Sequence, residues 1–126
     1  MRKSILLVED NDELARIFTT FLKNKRLNVN LFSSAEEALR HFRANINLYS
    51  IILTDFRMEG MNGIDFAKEV RRLRGNSIAI IMITGYSIYE IVTKEEVAGL
   101  VDRIMMKPFS LRSLDAVLTY YVDRFS

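Results

Sequence analysis

The 126 residues carry 18 basic and 16 acidic side chains and one histidine, a formal charge of +2, with 49% hydrophobic and 27% charged residues. That length gives one domain with a real core, and the composition is that of an ordinary globular chain, not a disordered, collagen-like or repetitive one. The absence of cysteine excludes a disulfide scaffold, a thiol nucleophile and a Cys-ligated metal centre, and the lone His41 excludes a His-rich metal cage. An excess of two charges is a weak argument for an anionic partner.

Arg2 and Lys3 precede the apolar run Ile5-Leu6-Leu7-Val8, which stops at Glu9-Asp10. This is too short for a signal-peptide core and far below the ~20 apolar residues of a membrane span. A soluble, cytoplasmic protein with no membrane partner is expected.

The hydrophobic period then alternates between strand and helix. Ser4–Val8 reads as a strand buried on both faces. Asp12–Lys25 places Leu14, Ile17, Phe18, Phe21 and Leu22 on one helical stripe. Leu27–Phe32 alternates as a strand, and Ser34 with Glu37 forms a capping box that opens a helix to about Phe42. Ser50–Thr54 is a second apolar strand. A loop from Asp55 to Asn62 contains Gly60, and Gly63 precedes a helix with Ile64, Ala67 and Val70 on one face. Ser77–Thr84 is the third strong strand. Ser87–Val97 reads as a helix of weak propensity, because Ile88, Ile91, Val92 and Thr93 are β-branched. Val101–Met106 is a last strand, and Ser110 or Leu111 opens a terminal helix along Leu114, Val117, Leu118, Tyr121, Val122 and Phe125. Five strands and five helices in strict alternation, with Pro108 outside every element, predict a doubly wound five-stranded parallel α/β sheet over residues 1–126 as one domain.

In such sheets ligands bind beyond the carboxyl ends of the strands. Glu9, Asp10 and Asp12 follow the first strand, Asp55 the third, Thr84-Gly85 the fourth and Lys107-Pro108 the fifth. Clustered carboxylates raise one another's pKa unless a cation joins them, and an all-oxygen set suits a hard divalent ion such as Mg²⁺. An ammonium opposite the metal makes a second electrostatic arm for a phosphoryl group, and a carboxylate can itself be the nucleophile. The residues thus predict a Mg²⁺-dependent phosphoryl-acceptor site with Asp55, the isolated carboxylate, as nucleophile.

Four motifs, Val8-Glu9-Asp10-Asn11, Leu53-Thr54-Asp55-Phe56-Arg57-Met58-Glu59-Gly60-Met61-Asn62-Gly63, Ile83-Thr84-Gly85 and Lys107-Pro108-Phe109, lie in order at the ends of four predicted strands. Together they resemble the receiver domain of bacterial two-component response regulators, over essentially the whole chain. The resemblance implies the flavodoxin-like strand order 2-1-3-4-5. It implies Asp55 as phosphoacceptor, and Glu9, Asp10, Asp55 and the backbone carbonyl of Arg57 around Mg²⁺. It implies Thr84 bonding the phosphoryl group and Lys107 pairing with it, with Pro108 fixing the turn, often through a cis bond. The implied donor is a sensor histidine kinase or a phosphotransfer protein.

The sequence departs from the family pattern in three places. Glu59 replaces a proline, and Ile104 stands where an aromatic residue usually responds to the threonine. Arg57 and Tyr86, each two residues beyond a site residue, are placed to overhang the phosphoryl group, which predicts slow loss of that group. The competing readings are a pseudo-receiver that only binds partners, which Ile104 favours, and an aspartyl-phosphate phosphohydrolase, which Arg57 disfavours because it stands where the second Asp of that class would be. A flavin-binding protein is disfavoured because Glu9-Asp10-Asn11-Asp12 would repel a phosphate.

Other residues invite plainer readings. Asp12 is expected to be a helix N-terminal acid, and Arg71, Arg72 and Arg74 to be helix C-terminal cations rather than DNA contacts. His41 is expected at the surface, and Met105-Met106 in packing. Ile88, Tyr89, Ile91, Ile104 and Tyr120 would make the face of the fourth helix, fifth strand and fifth helix more apolar than a solvated one. That predicts a homodimer or output-partner surface there.

Overall fold

The computed structural model describes residues 4–85 and 92–125. It contains β1 (Ser4–Val8), α1 (Asp12–Asn24), β2 (Val29–Phe32), α2 (Ala35–Ala44), β3 (Tyr49–Asp55), α3 (Gly63–Arg74), β4 (Ala79–Thr84), α4 (Lys94–Leu100), β5 (Arg103–Met106) and α5 (Leu111–Phe125). All strand pairs are parallel, in the order β2-β1-β3-β4-β5. This is the doubly wound sheet that the alternation of periods predicts.

Every residue of β1, β3 and β4 is buried, which explains why these strands read as unbroken apolar runs. Their side chains alternate between two cores. Leu6, Val8, Ile52, Ile80 and Met82 pack under α2, α3 and α4, with Phe42, Phe66 and Val97. Ile5, Leu7, Ile51, Leu53, Ile81 and Ile83 pack under α1 and α5, with Phe18, Leu22, Leu114 and Leu118. The edge strands β2 and β5 are only partly covered.

The helix starts follow from capping chemistry. Asn11, Ser34 and Asn62 each accept the backbone N–H three residues on, from Leu14, Glu37 and Asp65. The Ser34 cap sits where the sequence places it.

Four of the boundary differences from expectation have a visible cause. Of the helix read at Ser87–Val97, residues 94–97 lie in α4, which runs from Lys94 to Leu100. Residues 87–91 lie outside the described residues, and Thr93 is not helical but the N-cap of a capping box with Glu96. β2 begins at Val29, because Arg26 ends α1 with φ of 60° and the Leu27 N–H still bonds Leu22 O. β4 begins at Ala79, because Ser77 is held by the Arg74 side chain. β5 begins at Arg103, because Val101 caps α4. Ile17, expected on the buried stripe of α1, is 43% exposed; Ala15 is buried in that helix instead. Among the described residues no helix is long and apolar enough to cross a membrane.

Candidate functional site

Parallel pairing brings the carboxyl ends of all five strands to one edge. Val8 lies beside Thr54, Asp55 beside Ile83 and Thr84 beside Met106, so Glu9, Asp55, Thr84 and Lys107 meet there. Backbone bonds hold each segment as it leaves the sheet: Glu9 N to Phe32 O, Phe56 N to Ile83 O, and Lys107 N to Thr84 O. Gly63 closes the loop after Asp55 by donating to Phe56 O at 2.8 Å. A Cβ at position 63 would run into the Asp55 carbonyl oxygen, so this close approach requires glycine.

The Lys107 ammonium donates to Asp55 Oδ2 at 3.0 Å and lies 3.8 Å from Glu9 Oε1. Glu9 Oε2 accepts the Asn11 N–H at 3.2 Å, whereas the buried Glu9 Oε1 has no hydrogen-bond partner. Burial, and next the charge of Asp55, push the Glu9 pKa up to about 7, against the opposing pull of the Asn11 N–H and Lys107. Carboxylate oxygens of Glu9, Asp10 and Asp55 lie within 4.8 Å of one another. A buried carboxylate oxygen with no hydrogen bond, beside two further acids, is a donor set that fits a hard divalent cation, and these three residues could hold one. The cleft above them is lined also by Asn11, Leu14, Arg57, Gly85 and Lys107.

The structure therefore gathers Glu9, Asp10, Asp55, Arg57 and Lys107 at one cleft, with Thr84 fully buried at the adjoining end of β4. Tyr86 lies outside the described residues. Asp12 is exposed in the first turn of α1, outside the carboxylate group. The Lys107–Pro108 bond is cis. Ile104 is half-buried, opposite Met82 and against the core under α2, α3 and α4. On the face formed by α4, β5 and α5, Tyr120 is exposed, and Ile88, Tyr89 and Ile91 lie outside the described residues.

The expectation for His41 changes, and that of Arg71, Arg72 and Arg74 as helix C-terminal cations holds and is extended. His41 is not a plain surface residue: it is half-buried, its Nε2 is 2.6 Å from the Tyr49 hydroxyl, and its ring packs against Phe32. Arg71 and Arg74 do more than face a helix dipole. Arg71 donates to Leu100 O, Gly75 O, Ile78 O and Asp102 Oδ2, and Arg74 to Ile46 O, Tyr49 O and Ser77. Arg72 pairs with Glu69. Sequence reasoning also passed over Glu36, whose Oε2 accepts the Met61 N–H at 3.2 Å from α2. No local signal marks that contact, since the partners are 25 residues apart.

The sequence profile of the response regulator receiver domain matches residues 5–119. Nodulation protein W of Bradyrhizobium diazoefficiens is 32% identical over 115 residues, covering 90% of this chain and 49% of the relative. Transcriptional regulatory protein ZraR of Escherichia coli is 31% identical over 114 residues, covering 90% of this chain and 25% of the relative. The chain thus spans half or less of the length of these curated relatives. Among solved structures, a receiver domain from Clostridium thermocellum superposes with a TM-score of 0.85 at 23% identity, covering 97% of this chain and 95% of that one. The response regulator TrrA of Thermotoga maritima, in complex with Mg²⁺–BeF, superposes with a TM-score of 0.81 at 24% identity, covering 94% and 98%.

Proposed function

Because the chain belongs to the response regulator receiver domain family, we propose that it is a phosphoacceptor signalling module. It takes a phosphoryl group on Asp55 from a sensor histidine kinase or a phosphotransfer protein in the cytoplasm, in a Mg²⁺-dependent reaction. The observation that carries this reading is the meeting of one strand-end carboxylate, Asp55, with the Lys107 ammonium at 3.0 Å and two further acids within ligand distance.

A carboxylate oxygen of Asp55 attacks phosphorus, the P–N bond of the donor phosphohistidine breaks, and its electron pair stays on the imidazole nitrogen. Lys107, now paired with Asp55, turns to the incoming phosphoryl oxygens and offsets their charge. Thr84 donates its hydroxyl to the same group. Glu9, Asp10, Asp55 and the Arg57 carbonyl would hold Mg²⁺, which supplies charge neutralisation at the phosphoryl oxygens. The Mg²⁺–BeF complex formed by the Thermotoga protein is consistent with a divalent ion at this site. The chain promotes only its own phosphorylation and dephosphorylation, and reports its state through the α4-β5-α5 face to an output partner or a second copy.

The test is the intact mass after incubation with acetyl phosphate, with and without Mg²⁺, beside Asp55→Asn. A Mg²⁺-dependent gain of one phosphoryl group, absent from Asp55→Asn, is the expected result. No gain under any condition would favour the pseudo-receiver, the second reading, for which Ile104 in place of an aromatic is the specific support.

A further inference from the structure

The segment between Asp55 and α3 carries Arg57, whose carbonyl completes the proposed metal ligands. Its ends are anchored: Phe56 and Met58 are buried in the core, and Gly63 closes on Phe56 O. Its middle is not. Glu59 and Gly60 are exposed, and Gly60 has φ of 82°, a conformation of the least restrained residue type. Something must hold this stretch in one shape.

Glu36, in the first turn of α2, reaches across to it. Its Oε2 accepts the Met61 N–H at 3.2 Å, and its carboxylate lies so close over Gly60 that a Cβ there would run into Oε2. The hollow on that side is lined by Asp10, Glu37 and Glu59, three further acids, and by Arg40. Free of the loop, a carboxylate among like charges would move out to solvent. Its position over Gly60 is set by the Met61 amide, with help from the helix N-terminus. Glu36 lies outside the group of carboxylates placed to hold a metal ion.

We infer that Glu36 is a positioning residue, an α2 clamp that holds the Gly60–Met61 turn, and through it the Arg57 segment, in the shape used to bind Mg²⁺. This rests on the receiver reading above. A clamp of this kind works through an accepting oxygen, not through charge. Glu36→Gln therefore keeps the function and Glu36→Ala loses it.

Two measurements on the whole chain test this. Without metal, amide hydrogen exchange read by NMR should be faster at Met61 in Glu36→Ala by about tenfold, with the amides of β1 and β3 unchanged, and close to wild type in Glu36→Gln. Titration calorimetry with Mg²⁺ alone should show affinity about threefold to tenfold weaker in Glu36→Ala and within about twofold of wild type in Glu36→Gln. Unchanged Met61 exchange in Glu36→Ala would overturn the clamp. Equal weakening by Glu36→Gln and Glu36→Ala would overturn it too, since charge would then be the cause. Wild-type protein that binds no Mg²⁺, with Met61 still loosened by Glu36→Ala, would uphold the clamp on the loop and count against the receiver reading.

Discussion

Charge is treated in opposite ways at the two ends of the sheet. At the amino ends of β3, β4 and β5, Arg71 and Arg74 each spend their donors on several acceptors from different segments, and Asp102 Oδ2 takes both Arg71 and the Ile80 N–H. At the carboxyl ends, three carboxylates cluster, two of them, Glu9 and Asp55, share the Lys107 ammonium, and a buried oxygen of Glu9 has no hydrogen bond. Buried polar groups that serve only structure are satisfied, because an unmet one costs ~1–3 kcal/mol. The amino end obeys that rule and the carboxyl end breaks it. A deficit of this kind on a carboxylate, beside two further acids, marks where a cation belongs.

The contrast predicts opposite signs for charge removal. Arg74→Ala strands the carbonyls of Ile46 and Tyr49 and should destabilise the chain by about 3 kcal/mol in urea denaturation, with acetyl phosphate labelling of the folded fraction unchanged. Glu9→Gln should stabilise the metal-free chain by about 2 kcal/mol at pH 8 and abolish the response to Mg²⁺. The sign follows from linkage. Glu9 has a folded pKa of about 7, above its ordinary 4.5. The folded state therefore binds more protons between those values, and wild-type stability falls as pH rises through that window. Glu9→Gln should lose the slope, and added Mg²⁺ should restore wild-type stability at the high-pH end. A wild-type urea midpoint that rises from pH 5 to 7 would contradict this.

Smaller changes sharpen the picture. Arg57 borders the cleft, and Arg57→Ala should speed loss of the phosphoryl group about threefold to tenfold, read as decay of the phosphorylated mass. An unchanged decay rate would show that Arg57 does not shield the group. Arg26, held at φ of 60° where a side chain is strained, is the mildest case. Arg26→Gly should raise stability by about 0.5 kcal/mol and leave labelling untouched, which thermal and urea melts would check.

Much of this was legible in the sequence, for a physical reason. The buried parallel strands β1, β3 and β4 must be continuously apolar, and in a parallel sheet the residues that follow them share an edge. Glu9, Asp55, Thr84 and Lys107 could therefore be placed together from order alone. What was missed depends on contacts with no local signature. Arg71 meets Leu100 and Asp102, and Glu36 meets Met61, only because the chain folds back. The start of α4 is different. Thr93 and Glu96 form a readable capping box, which the reading of one helix across Ser87–Val97 passes over. Ile17 shows the limit of a periodic stripe, which says which face is apolar but not how far a neighbour covers it.

The most direct test of the account is to locate the phosphoryl group itself. Acetyl phosphate-treated protein, reduced with borohydride, converts an aspartyl phosphate to homoserine, and tandem mass spectrometry of the peptides reads the position. Homoserine is expected at position 55 alone, and only when Mg²⁺ was present. Reduction at Asp10 or Glu9 instead, or equal labelling with Mg²⁺ withheld, would contradict it.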